Sequence, residues 1–291
     1  MDDERLVRLK ELLPETARRI ELIDFFSSLS NEAVEQLTSD AFATSERPTE
    51  ENVPQRVEKY EEILAELLRS LFVGSYYGDM PYHLQIWTKA IARLIDSAGD
   101  QPTGEVFSIW ESLRRYPGLL GLYAVGTSAL AGGRPETLAH VLRDLNLDSE
   151  VFRDTRSAID WAASILSPDK RPTAASSWLE GRLTVLAYNL IRADELLIAF
   201  DQFEYCLGLL AVDRSVHSNL EGDVYVRPSR FWFRARVISS WSRPDAWAVG
   251  TKSRPLIDAG LFGGSSDRLK AVKARYDEAI ERERLNIRLG F

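Results

Sequence analysis

The segment 116-YPGLLGLYAVGTSALAGGRPETLAHVL-142 decides the fold. Ala124, Gly126, Ser128, Ala129 and Ala131 share one helical run with Leu119, Leu122, Tyr123, Val125 and Leu130. Small side chains on a helix let a neighbouring backbone come close. Gly132 and Gly133 then stop the run and Pro135 opens a second one, the punctuation of two antiparallel helices. The pattern predicts a helical hairpin. Scaffolds built from such hairpins serve mainly as binding surfaces.

Working outward, helical periodicity dominates. Residues 4–13 place Leu6, Leu9, Leu12 and Leu13 on one face, and residues 17–29 offer Ile20, Ile23, Phe26 and Leu29. Ala43–Pro54 reads as a polar loop or linker, and an amphipathic stripe then runs from Val57 to Phe72. Gly74 to Pro81 is expected to break it before a helix over Tyr82–Ser97. Further helices are expected at Glu105–Arg115 and Glu150–Leu166. Ser177-x-x-Glu180 reads as a capping box opening another, with a restart near Asp194. Asp213–Pro228 reads as loop and Phe231–Ile238 as a short strand. Residues 239–264 read as irregular, and Ser266–Ile287 as a final charged helix.

The fold class is therefore mostly α, an irregular stack of helical hairpins, solenoid-like or bundled, with at most one short β element near 231–238. No strict repeat period is visible. Residues 1–56 read as an N-terminal helical arm and linker. Residues 57–291 read as a helical-repeat-like domain with an aromatic and basic C-terminal segment.

Composition narrows the class of protein. The chain has 291 residues, 45% hydrophobic and 27% charged, with a net charge of −8. No apolar run approaches the roughly 18–20 residues of a membrane span. The acidic start, Met1 to Arg5, is unlike a signal peptide, so a soluble cytoplasmic protein is expected. One cysteine, Cys206, excludes an intrachain disulfide and a cysteine zinc site, and its apolar setting predicts an inert thiol. His83, His140 and His217 are far apart in sequence, so no metal or cofactor is expected.

One segment departs from the acidic average. Residues 227–254 carry seven Lys or Arg against the single acid Asp245, a local charge of +6. Arg227, Arg230, Arg234, Arg236 and Arg243 alternate with Trp232, Trp241 and Trp247. Guanidiniums neutralise phosphates while rings stack on bases, so the segment suits single-stranded nucleic acid. It suits better a core strand in which Phe231, Trp232 and Phe233 are buried, because a lone strand on a helical body needs an anchor. Arg230 or Arg234 would then pair with the acids Asp201 and Glu204. Those acids lie one helical turn apart, a spacing that fits general acid–base work in a pocket and also plain surface acids.

The glycine-rich stretch Gly260–Gly264 precedes the last helix without a Walker lysine, and reads as a tight turn followed by a serine N-cap. Trp87, Trp110, Trp161 and Trp178 fall in apolar helical patterns and are expected in the core.

Four pieces together carry a resemblance: Tyr-Pro-x-Leu-Leu-x-x-Tyr-x-x-Gly over Tyr116–Gly126, Phe203-Glu204, Pro-x-Arg-Phe-x-x-Arg over Pro228–Arg234, and Gly-Leu-Phe-Gly-Gly over Gly260–Gly264. They resemble the helical C-terminal region of bacterial proteins that carry a predicted effector in front of it. Those effectors include Schlafen AlbA-like, Sir2-like and TIR domains, in defence-type proteins. The resemblance implies a helical scaffold or sensor, and carries no catalytic residue over. No effector is read in the first 56 residues, so the chain is expected to be a stand-alone accessory subunit or a fragment. The expected function is a non-catalytic scaffold that binds a partner protein or itself. The alternative is a nucleic-acid-binding module using residues 227–254.

Overall fold

The structure, a computed structural model, describes residues 3–39, 42, 46–97, 107–145, 174–217 and 253–288. It is a helical stack, as expected, and among the described residues there is no strand. The segment 231–238 lies outside the described residues, as does the expected helix at Glu150–Leu166.

In chain order the helices are α1 (Asp3–Leu12), α2 (Arg19–Leu37), α3 (Asn52–Tyr77), α4 (Pro81–Asp96), α5 (Ser108–Arg114) and α6 (Tyr116–Ala131). They continue as α7 (Pro135–Asp144), α8 (Ala174–Leu186), α9 (Ala193–His217), α10 (Arg254–Asp258) and α11 (Ser266–Arg288). Short 3₁₀ turns at Thr16–Arg18 and Leu261–Gly264 lead into α2 and α11.

The stack is built around α6. Every residue from Tyr116 to Leu130 is buried, and α3, α4, α7, α8 and α9 all pack on this helix. A helix apolar all round has no solvent face to keep, so it sinks to the centre. Its small residues act where they were expected to act. A side chain at Gly126 would collide with the Phe203 ring of α9. The Ser128 and Ser75 hydroxyls meet at 2.5 Å where α6 lies against α3. The hairpin closes through Gly133, whose φ of +71° is open to glycine at little cost.

The end of α3 is held from the same turn. The Arg134 guanidinium donates to the carbonyl of Tyr76, and to that of Tyr77 at 2.9 Å. These are last-turn carbonyls with no partner inside their own helix, and a cation there also meets the negative end of the helix dipole. Pro81 and Pro135 stand at the first positions of α4 and α7, where a missing N–H costs nothing. The α11 start is a serine cap as expected, with the Arg268 N–H donating to Ser265 Oγ at 3.2 Å.

Several expectations are corrected. On α2 the buried stripe is Leu22, Phe26, Leu29 and Ala33, whereas Ile20 is 72% and Ile23 37% exposed. Both stripes satisfy helical spacing, and the one carrying more large side chains along its length is the one that packs. α3 runs through Gly74 to Tyr77 because Gly74 is a contact point, against which the Trp87 ring is pressed, and not a break. α8 already begins at Ala174, so Ser177 lies inside the helix and opens nothing. α9 continues past Asp213 to His217, and a short helix, α10, interrupts the stretch expected to be irregular.

The tryptophans largely follow expectation. Trp87 and Trp110 are fully buried, Trp178 is half-buried, and Trp161 is outside the described residues. The Cys206 thiol is fully buried, and burial pushes its pKa up to about 12, which leaves it inert as a nucleophile.

Candidate functional site

Two pieces of sequence singled out above, Tyr116–Gly126 and Phe203-Glu204, come together at the junction of α6 and α9. Tyr123 of α6 and Phe203 of α9 meet edge to face at 4.8 Å between ring centroids. The Tyr123 hydroxyl donates to Glu204 Oε1 at 3.1 Å. From the third side, Ser176 of α8 donates to Glu204 Oε2 at 2.6 Å. One carboxylate thus ties three helices, and both of its oxygens are engaged. A buried charge is tolerated only with such company.

Asp201 and Glu204 are both buried, so the reading of these acids as solvated surface groups is overturned. Spacing placed them on one face of a helix; only packing decided that this face turns inward. Ser176 is fully buried as well. The Glu204 junction therefore works as an internal clamp.

A second node, not visible in the sequence, joins α3, α6 and α8. The Tyr116 hydroxyl donates to Glu61 Oε1 at 2.6 Å. The Trp178 indole N–H reaches both the same oxygen, at 3.2 Å, and the Tyr116 oxygen, at 3.1 Å. Arg182 pairs with Glu61 Oε2 at 2.7 Å and lies over the Trp178 ring, 4.1 Å from its centroid. Burial and the Glu61 charge together push the Tyr116 phenol well above its usual range. The signal that could have found this node is that Tyr116 and Trp178 each put a polar tip into an apolar pattern, which demands a partner.

A third polar link ties α9 to α11. The Arg268 guanidinium forks onto Asp213, with Nε to Oδ1 at 2.5 Å and Nη2 to Oδ2 at 2.8 Å. These three nodes account for named side chains of the stack's polar interior, and each spans helices far apart in sequence.

The sequence-derived binding residues Arg227, Arg230, Trp232, Arg234, Arg236, Trp241, Arg243 and Trp247 lie outside the described residues. Of their segment Arg254 is described, and it pairs with Asp258 one turn along α10 at 2.8 Å. Of the histidines, His83 is buried beside Trp87 and His140 contacts Asp144 at 2.9 Å. Among the described residues no group of three or more His, Cys, Asp or Glu is disposed to hold a metal ion. Among them, too, no helix is long and apolar enough to cross a membrane.

The outer surface carries large apolar side chains of its own. In the α8–α9 hairpin Val185 is 69%, Tyr188 71% and Ile198 58% exposed. The opposite side of the same hairpin buries Leu179, Leu183, Leu196 and Phe200. At the other end of the chain Val7, Ile20 and Ile23 are exposed on α1 and α2.

The class defined by these features is a helical stack tied together by inter-helix polar nodes. Comparison of the chain with protein-family models, with curated proteins and with solved structures finds no match.

Proposed function

We propose that the protein is a non-catalytic helical scaffold or sensor that binds a partner protein in the bacterial cytoplasm. The observation that carries this reading is the α8–α9 hairpin, which buries one side in the stack and offers Val185, Tyr188 and Ile198 to solvent on the other. Large apolar side chains left exposed are a common basis of protein contacts, with aromatic residues the strongest anchors. The engagement of Glu204 and Glu61 in inter-helix hydrogen bonds supports an architectural role for carboxylates that could otherwise serve chemistry.

The place of this scaffold is proposed to be a defence system, as the accessory of an effector. Support comes from the resemblance of the Tyr116–Gly126 and Phe203-Glu204 pieces to helical regions found behind such effectors. The direct packing of these two pieces on each other is consistent with their acting as one structural unit.

The test is capture of the tagged protein from its host lysate, with and without nuclease, followed by mass spectrometry. A partner protein that survives nuclease is expected. The triple variant Val185→Asp, Tyr188→Glu, Ile198→Glu is expected to keep its fold and lose that partner. A stably folded variant that still captures it would overturn the assignment of the surface.

The second reading is a nucleic-acid-binding module, favoured by the local charge of +6 over residues 227–254 in a chain of −8. Its mark would be salt-dependent binding of single strands that Arg234→Glu with Arg236→Glu abolishes.

A further inference from the structure

The geometry points to the cleft between α2 and α4 as a binding site for a phosphate monoester. The cleft has a volume of about 90 Å³, with Phe26, Ile86 and Ala90 among the residues that form it. That is room for a phosphate group and part of a small organic body. Both helices contribute along roughly three turns, α2 from Arg19 to Ser30 and α4 from Tyr82 to Arg93.

Three cations line it, Arg19, Lys89 and Arg93, and no carboxylate does. Glu21, Asp24 and Asp96, acids close to these residues in sequence, are not part of its wall, and Glu21 pairs with Arg18. Cations without an acid partner occur elsewhere in the chain, Arg8, Lys10 and Arg47 among them, but Arg19, Lys89 and Arg93 line one cleft. Arg5, Arg18, Arg182, Arg192, Arg254 and Arg268 each pair with an acid. Among the described residues Arg19, Lys89 and Arg93 have no such partner. Lys89 and Arg93 also stand one turn apart on α4, an unfavourable spacing for two like charges unless an anion lies between them.

The two guanidiniums are partly placed already. Arg19 lies against the Tyr82 ring, 5.2 Å from its centroid. Arg93 reaches across to the Ser27 carbonyl at 3.5 Å. Arg19 and Arg93 therefore sit towards opposite ends of the cleft, with Lys89 one turn from Arg93. The Tyr82 hydroxyl, on the same wall, is buried and has no hydrogen-bond partner in the structure. The planar guanidinium fork of Arg93 matches the oxygens of a phosphate, the Lys89 ammonium one turn away adds a point charge, and Arg19 adds positive charge from the far end. A monoester dianion meets this charge better than a carboxylate does.

The apolar part of the cleft is what distinguishes a monoester from inorganic phosphate. Phe26 and Ile86 are buried at its base, Ile23 stands partly exposed at its wall, and Ile20 is exposed on the next turn of α2. An organic group attached to the phosphate would cover part of this surface. The monoester could be a free metabolite or a lipid headgroup, and the exposed Ile20 beside Arg19 leaves both sources compatible with the surface.

The test uses the full chain and calorimetric titration with phenyl phosphate, inorganic phosphate and phenol. Phenyl phosphate is expected to bind at least about tenfold more tightly than inorganic phosphate, which corresponds to about 1.4 kcal/mol. Phenol is expected to give no measurable binding. The variant Lys89→Glu with Arg93→Glu changes two exposed side chains, and is expected to lower phenyl phosphate affinity by at least about tenfold with an unchanged melting temperature. Should it fail to fold, Lys89→Gln with Arg93→Gln serves the same purpose.

A parallel sedimentation assay uses phosphatidylcholine vesicles with and without phosphatidic acid. Binding that depends on phosphatidic acid and is lost in the variant assigns the lipid source. Binding of phenyl phosphate alone assigns the free one. No binding in either arm, undiminished binding in the folded variant, or equal affinity for phenyl phosphate and inorganic phosphate would overturn the proposal.

Discussion

The Tyr123 hydroxyl and the Glu204 carboxylate, 81 residues apart in sequence, stand 3.1 Å from each other at the centre of the stack. The bond fixes α6 against α9 at a point where both are buried, so it is protected from water and from competing partners.

Removing the Tyr123 hydroxyl takes one donor away from Oε1 of the buried Glu204 carboxylate. Tyr123→Phe is expected to lower unfolding free energy by about 1–3 kcal/mol. Ser176→Ala, which removes a donor to the other oxygen, is expected to act in the same direction. Because both changes act on one carboxylate, the double variant should depart from additivity by about 0.5–3 kcal/mol. Urea unfolding of the four proteins measures this, and strictly additive values would show that Glu204 does not couple α6 to α8.

Glycines in the stack divide into two kinds with opposite consequences. Gly126→Ala forces a methyl into the Phe203 ring, and an overpacked core site is expected to cost about 1–3 kcal/mol. Gly181→Ala on α8 meets open space, and is expected to stabilise by about 0.5–1 kcal/mol through helix propensity alone. Thermal melts of the two variants should move in opposite directions.

Arg134 caps α3 from the neighbouring hairpin, so its loss should loosen the contact of α3 with α6. Arg134→Ala is expected to cost about 1.5–3 kcal/mol, the range for hydrogen bonds to a charged group. Arg134→Lys should recover only part, because a single ammonium nitrogen lacks the two separate terminal nitrogens with which the guanidinium meets the Tyr76 and Tyr77 carbonyls. Hydrogen exchange of amides near the end of α3 would rise in the alanine variant.

His83 makes the fold sensitive to mild acid. Its Nδ1 accepts the Met80 N–H at 3.1 Å, and burial lowers its pKa to about 4. The unfolded chain, with the ordinary value of 6.5, therefore binds the proton first as pH falls. The contribution of His83 is full above about pH 6.5 and declines towards pH 4, by roughly 3 kcal/mol in all. His83→Gln should flatten the stability profile over that window. A profile equally steep with and without the histidine would assign the effect to carboxylates instead.

The sequence was most legible where one physical demand acted alone. The 116–142 segment reads as a helical hairpin because glycines, a proline and an unbroken apolar run all act locally, and α6 and α7 occupy it. The α9 restart and the α11 start were legible for the same reason, through Asp194 and the serine after the Gly260–Gly264 turn. It was less legible on α2, where two apolar stripes compete and only contact with α3 and α4 selects Leu22, Phe26 and Leu29 over Ile20 and Ile23. Ser177-x-x-Glu180 misled because a local capping pattern does not stop a helix that tertiary packing has already begun at Ala174.

The sequence by itself determined that this chain is helical, which residues could line a core and where one hairpin turns, because these follow from side-chain volume, periodicity and backbone freedom within a few residues. Only the tertiary structure decided that the buried Glu204 and the partly buried Glu61 tie helices together and that Arg19, Lys89 and Arg93 share one cleft. Those relationships join residues as many as 117 positions apart. No local rule carries them, because they exist only once burial has fixed which face of each helix meets which neighbour.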